Sequence, residues 1–237
     1  MWYMESGFKT YQKYLGSLRE NPLLNTVSDS ELNNLLQLGT AEEWPKKTCI
    51  IDCKRALYKF HIIISGRLKI YKTNGSNNRH LTLFMLRKGD MFDVVSLLDN
   101  QEHHVYYETL DELKVLCIPI VNMQNWIDKN PGFTQNLLTY LTKQIRTLEN
   151  YVIDVSLEDT STRLAKLLLN HSNKKSNTID GISDLSHDEL AGMIGTTRAV
   201  VNRQLQHLRE EGIIDITRKH ITINNIDALI KITESNK

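Results

Sequence analysis

Cysteine is scarce in this chain and comes as an odd set, Cys49, Cys53 and Cys117. Such a set does not supply a disulfide framework, and the setting it implies is a reducing cytoplasm. No apolar run approaches the roughly 20 residues that a membrane span requires, so no membrane association is expected. The opening stretch, MWYMESGFKTYQKYL, lacks a positive segment followed by an apolar one, so a signal peptide is not expected. Charge of one sign is missing too: 29 Lys and Arg against 28 Asp and Glu leave a net +1. There is no glycine-rich phosphate loop, no Gly-x-Ser-x-Gly and no His-Glu-x-x-His, so nothing proposes catalysis. His103 and His104 are adjacent, and neighbours on a strand point to opposite faces, so the pair cannot reach one metal there. His61 and His80 could add a ligand, yet no His-x-His with a following glutamate appears. Neither a metal nor a cofactor is expected.

What is present fits a soluble globular protein of one large or two modest domains. The chain has 237 residues, 41% hydrophobic and 24% charged, enough to bury a core without staples. Its most informative stretch is Leu185 to Ile214, LSHDELAGMIGTTRAVVNRQLQHLREEGII. Ser186 and Glu189 have the spacing of a capping box, which satisfies orphaned backbone donors at a helix start. Leu190, Met193 and Ile194 follow at helical spacing. Gly195 then supplies a turn, and Thr196 or Thr197 can cap a second helix. That helix is apolar at Val201, Leu205 and Leu208 and ends at Gly212, a natural left-handed C-terminal residue.

Two short helices about a tight turn predict a helix-turn-helix. The polar face of the second carries Ala199, Asn202, Arg203 and Gln206, with Arg198 at its first turn. Arginine reads guanine O6 and N7, and Asn or Gln reads adenine, when the start of such a helix enters the major groove. An ordinary helical hairpin with a solvated polar face is the alternative from spacing alone. Between Ser186 and Ile223, Arg198, Arg203, Arg209, Arg218 and Lys219 are matched by Asp188, Glu189, Glu210, Glu211 and Asp215. Phosphate contact must then come from helix N-termini, hydroxyls and a few placed cations, with Ser186, Thr196 and Thr197 as the candidates and His187 counted with them among the DNA-binding residues, and salt dependence should be shallow.

The block Gly195, Thr196, Thr197, Arg198, Ala199, Val200, Val201, Asn202, Arg203 resembles the DNA-binding helix of the Crp/Fnr family of bacterial transcription regulators. The resemblance implies that Arg198 and Arg203 occupy base-reading positions and that Gln206 lies at a neighbouring contact position. Ala199 departs from it: the family usually has a carboxylate there to accept from a cytosine amino group, so the family's usual half-site is not expected.

Upstream, Ser28 and Glu31 mark another helix start before Leu32, Leu35 and Leu36, in what reads as a packing helix pair. From Trp44 to Val121 the texture becomes short strands, TCIID, FHIIISGRLKIYK, HLTLFML, HVYYETL and ELKVLCIPI, with turns at Gly66, Asn74-Gly75 and Gly89-Asp90. This predicts an all-β sandwich or barrel, and a jelly-roll-like barrel fits. GRLKIYKTNG, LRKGDMF and SLLD resemble the family's sensor barrel, which is built like a cyclic-nucleotide-binding domain. Nucleotide-binding members carry Gly-Glu for the ribose and an arginine for the cyclic phosphate. Here Met91 to Tyr107, MFDVVSLLDNQEHHVYY, has no Lys or Arg, and Asp93 stands where a glycine is expected. A buried phosphate without a cation is costly, so a cyclic nucleotide is not the expected effector. The candidate effector pocket is Asp93, Val94, Ser96, His103 and His104. Iron-sulfur members use four thiolates, which three cysteines cannot supply; Cys49 and Cys53 read as idle thiols before a redox pair. Haem ligation by one histidine, as in some members, ranks below ordinary barrel or surface histidines.

Leu138, Leu141, Ile145, Leu148, Val152 and Val155 are spaced 3, 4, 3, 4 and 3, an a/d seam that favours a two-helix interface. The family's dimerisation helix lies at this place. A further helix is expected from Ser156 to Ser172, then a polar loop from Asn173 to Asp184, and after Gly212 a hairpin wing around Arg218-Lys219. The expected organisation is α+β: an N-terminal barrel with helices (1–130), a dimerisation helix (131–156) and a winged helix-turn-helix (157–237), with a signalling hinge near Asp154 to Leu157. The expected function is a homodimeric, sequence-specific transcription regulator whose partners are duplex DNA, RNA polymerase and an unidentified small-molecule effector. A cupin-like metal-dependent barrel enzyme with a helical appendage, or a sensor acting on a protein partner, are the competing readings.

Overall fold

The computed structural model describes residues 14–50, 58–74, 79–173, 177–217 and 220–234. Cys53, Gly75 and the expected wing tip at Arg218-Lys219 lie outside the described residues. The chain divides into two compact units, one drawn from Met1–Tyr71 and Phe84–Ile145, the other from Lys72–Leu83 and Arg146–Lys237.

The first unit opens with a helical stretch at 14–19 and helix α1 (Asp29–Leu38), whose N-cap Ser28 accepts from the Glu31 amide. The strands are β1 (Thr40–Trp44), β2 (Cys49–Ile50), β3 (Lys59–Ser65), β4 (Leu68–Asn74), β5 (Arg79–Leu86), β6 (Met91–Phe92), β7 (Tyr106–Thr109) and β8 (Leu113–Pro119). They form two four-stranded sheets, ordered β1-β8-β3-β6 and β2-β7-β4-β5, and every pairing recorded is antiparallel. Strand β3 is buried on both faces, which explains its nearly continuous apolar run. One face, Phe60, Ile62 and Ile64, packs with Leu116 and Ile118 of β8 against Leu32 and Leu35 of α1 and against Met123, Trp126 and Phe133. The other, by the period of 2 along a strand, carries His61 and Ile63, and His61 sits directly across from Cys117. Gly66 (φ 92°) is required at the β3–β4 turn, because a Cβ there would lie 2.5 Å from the Glu112 carbonyl oxygen.

The helices that follow are α2 (Val94–Asp99), α3 (Ile120–Lys129) and the long α4 (Pro131–Leu157); α4 from Arg146 onward, with the parts of β4 and β5 within 72–83, belongs to the second unit. The strand read as HVYYETL is shorter than expected, so His103 and His104 precede it and belong to no strand. Strand alternation therefore does not set these two histidines on opposite faces.

The second unit contains α5 (Thr160–Asn170), β9 (Ser172–Asn173), β10 (Thr178–Ile179), α6 (His187–Met193), α7 (Arg198–Glu210), β11 (Ile214–Ile216), β12 (Ile221–Ile223) and α8 (Ile226–Glu234). The wing hairpin β11–β12 is extended by the segment expected as loop: the sheet runs β11-β12-β10-β9, with Thr178 opposite Thr222. Leu164, Leu168, Leu190, Val201, Leu205, Leu208 and Leu229 are all buried and form its core. At the expected hinge, the Lys166 ammonium lies 2.6 Å from Asp154 and 2.8 Å from Glu158. Such partly exposed pairs contribute less than about 1 kcal/mol each, enough to tether the end of α4 to α5.

Candidate nucleic-acid interface and sensor pocket

The helix-turn-helix begins where its local chemistry says it should. Ser186 accepts from the Glu189 amide while the Glu189 carboxylate accepts from the Ser186 amide, a complete capping box. Gly195 adopts φ 66°, and a Cβ there would lie 3.1 Å from the Tyr151 hydroxyl. Thr197 is the N-cap residue of α7, yet its hydroxyl makes no capping hydrogen bond. The expected threonine cap is thus positional, and the hydroxyl is not spent on the helix start.

Helix α7 has two sharply different faces. Val201, Leu205 and Leu208 are at most 2% exposed, while Arg198, Ala199, Asn202, Arg203 and Gln206 are exposed. No acidic residue lies in its first turn, so the positive end of the helix dipole is not neutralised locally. Ser186 is exposed, and Thr196 and His187 are half-buried. All nine candidate residues therefore fall on α7, its turn or the start of α6.

Two contacts order the polar side chains of this face. The His187 Nδ1 donates to Asn202 Oδ1, joining the start of α6 to the middle of α7. The Gln206 amide nitrogen donates to Glu210 Oε1 at 2.9 Å. A depression of about 510 Å³ on this surface is lined by His187, Arg198, Asn202, Leu205, Gln206, Arg209 and Ile216. Arg209 and Ile216 were not among the sequence candidates. Arg209 lies beyond the first turns searched for base readers, and Ile216 reaches the surface from the wing.

In the first unit, the candidate pocket residues separate. Asp93, Val94 and Ser96 are buried, His103 is half-buried and His104 is exposed. Asp93 takes the left-handed conformation (φ 62°) at the start of α2, which aspartate tolerates better than most residues. Its Oδ2 lies 2.9 Å from His61 Nδ1, and its Oδ1 accepts from the Tyr107 hydroxyl. That hydroxyl is 3.4 Å from His103 Nδ1. Phe92 stacks on His61 at 4.3 Å, and Trp44 meets it edge-on at 5.6 Å. Burial, then the Asp93 charge, push the Tyr107 phenol well above its ordinary range. Burial first, then Glu42, push the Cys117 thiol up to about 12. His61, Tyr107 and Cys117 were not among the pocket residues expected, although His61 was considered as a metal ligand; the signal for His61 was an imidazole interrupting the apolar run FHIII.

Along α4, Leu138, Ile145 and Val152 are 54, 56 and 61% exposed and Val155 is 38% exposed; Leu141 and Leu148 are half-buried. The six residues present an apolar stripe on one helix.

Among the described residues no helix is long and apolar enough to cross a membrane. Residues 41–130 match the family model of the cyclic nucleotide-binding domain, and residues 162–232 match that of the Crp-like helix-turn-helix domain. A CRP-like cAMP-activated global transcriptional regulator of Mycobacterium tuberculosis is 26% identical over 177 residues, covering 73% of this chain and 79% of the relative. An anaerobic regulatory protein of Haemophilus influenzae is 24% identical over 221 residues, covering 90% of this chain and 84% of the relative. The solved structure of a CooA mutant from Carboxydothermus hydrogenoformans superposes with a TM-score of 0.71 at 20% identity, covering 89% of this chain and 94% of that one. With a two-sheet antiparallel domain of the cyclic-nucleotide-binding type, in which the expected barrel is not closed, followed by a long helix and a helix-turn-helix of the Crp type, the chain belongs to the Crp/Fnr family of DNA-binding transcription regulators.

Proposed function

We propose that the protein acts as a homodimer in which α7 of each protomer reads one half of a near-palindromic operator. Arg198 and Arg203 read base pairs, Asn202 and Gln206 assist, with His187 beside Asn202 at the start of α6, and Ser186, Thr196 and Thr197 address phosphates; Ala199 offers methyl contact only. The observation that carries this is the division of α7 into a buried apolar face and an exposed face bearing Arg198, Asn202, Arg203 and Gln206. Dimerisation uses the stripe from Leu138 to Val155 and sets two α7 helices about one DNA turn apart. The functional segments are the barrel at 1–130, the dimerisation helix at 131–156 and the winged domain at 157–237. The setting is the cytoplasm, with RNA polymerase as the further partner.

The signal acts at the barrel and is not a cyclic nucleotide. The relative from M. tuberculosis is named as cAMP-activated, but this chain spends its pocket on other bonds. Both Asp93 oxygens are taken by His61 and Tyr107. A cyclic phosphate beside Asp93 would meet a buried carboxylate whose two oxygens are already engaged. Whatever the effector, it favours one pose of the paired DNA-binding domains through differential affinity.

The test is selection of duplexes from a random pool by the purified full-length protein, with sedimentation to read its oligomeric state. A two-fold symmetric motif bound by a dimer is the expected result, unchanged by added cAMP or cGMP. A monomer indifferent to sequence overturns the proposal.

A further inference from the structure

The assignment of α7 as the reading helix leaves open what each amide side chain reads, because a free asparagine offers both a donor and an acceptor. In this structure Asn202 is not free. His187, the first residue of α6, places its Nδ1 against Asn202 Oδ1. A carbonyl oxygen only accepts, so His187 carries its proton on Nδ1, and the Asn202 oxygen is occupied from within the protein. The Nδ2 amino group, with its two N–H donors, is what remains to be presented on the exposed face of α7.

We infer that His187 fixes the polarity of Asn202, making it a donor-only reader that prefers guanine to adenine at its base pair. This deepens the proposed function and rests on it. The chemistry lies in the major-groove edges: guanine shows two adjacent acceptors, N7 and O6, whereas adenine shows the N7 acceptor beside the N6 amino donor. An unconstrained asparagine grips adenine with both ends of its amide. One whose oxygen is already engaged meets the adenine amino group with its own amino group, donor against donor, and meets guanine with matching partners. Gln206 is held differently: its nitrogen donates to Glu210, leaving a second N–H and the oxygen, the pair that adenine requires. His187 is thus a positioning residue, acting through Asn202. It extends the specificity surface onto the first helix of the motif.

The experiment is selection from a random duplex pool by the full-length protein, comparing wild type with Asn202→Ala, His187→Ala, His187→Gln and Arg203→Ala. Asn202→Ala should erase the preference at one base pair per half-site and leave the others intact, which identifies that pair. There the wild type should favour guanine over adenine by about threefold to tenfold, the range of one hydrogen bond. His187→Ala should turn the preference toward adenine at that pair alone, and His187→Gln, whose amide can donate to the same oxygen, should restore guanine. A wild-type preference for adenine or cytosine at that pair overturns the inference, since it means the amide shows its oxygen outward. So does a guanine preference that survives His187→Ala, or an Asn202→Ala profile identical to wild type. If Arg203→Ala changes a base preference while the Asn202 and His187 variants do not, this inference fails and the reading helix stands. If no variant, nor the wild type, selects any sequence, the proposed function itself fails.

Discussion

Replacing Arg203 by alanine separates reading from folding. The side chain is exposed on α7, opposite Val201, Leu205 and Leu208, and alanine is a better helix former, so folding stability should change by no more than about 0.5 kcal/mol. Loss of a base-reading arginine costs about 1–3 kcal/mol per half-site. Two half-sites on the proposed dimer make that about 2–6 kcal/mol, a loss of specific affinity of about thirtyfold to about twenty-thousandfold. Fluorescence anisotropy against the selected operator and a scrambled duplex, each at two or more salt concentrations, measures both quantities. Specific affinity should fall, random-duplex affinity should hardly move, and the salt slope on random DNA should stay the same. If Arg203 instead held a phosphate, both affinities would fall together and the slope would drop by about 0.9 per contact. That result, or no change on either duplex, refutes the assignment.

Other perturbations test the remaining parts. Val152→Glu places like charges at an exposed position toward the C-terminal end of the α4 stripe; sedimentation should show monomers, and operator affinity should fall by about a hundredfold or more as the paired half-sites are lost. Tyr107→Phe removes the donor to the buried Asp93 oxygen, and thermal unfolding should report a loss of about 1–3 kcal/mol. Cys117 should resist iodoacetamide in the native protein, because burial keeps it a thiol up to about 12. Between the ordinary value of 9.0 and about 12 the unfolded chain releases this proton while the folded one keeps it, so stability falls as pH rises through that window. Cys117→Ala should flatten the fall, and an equally steep alkaline loss in the variant would refute this account.

Much of the interface was legible from residue order alone, for local reasons. A capping box needs only Ser186 and Glu189 three positions apart. Gly195 and Gly212 both hold left-handed backbone (φ 66° and 69°), a preference that belongs to the residue itself. The two faces of α7 and the stripe on α4 follow from a period of 3.6, so exposure there was calculable before any packing was known.

Contacts that depend on register between distant elements were not legible. His61 and Tyr107 lie 32 and 14 positions from Asp93, and only the pairing of β3 with β6, the approach of β7 from the other sheet and the left-handed entry to α2 bring them together. The segment read as a polar loop after α5 became β10 because Thr178 found Thr222 across the wing. The link from His187 to Asn202 spans 15 residues and two helices. The residue types permitted by sequence told what each side chain can do; the angle at which α6 meets α7 decided which half of an amide is left to do it. Periodicity and capping are short-range and are written in residue order, whereas the partner of a buried or crossing polar group is set by tertiary geometry.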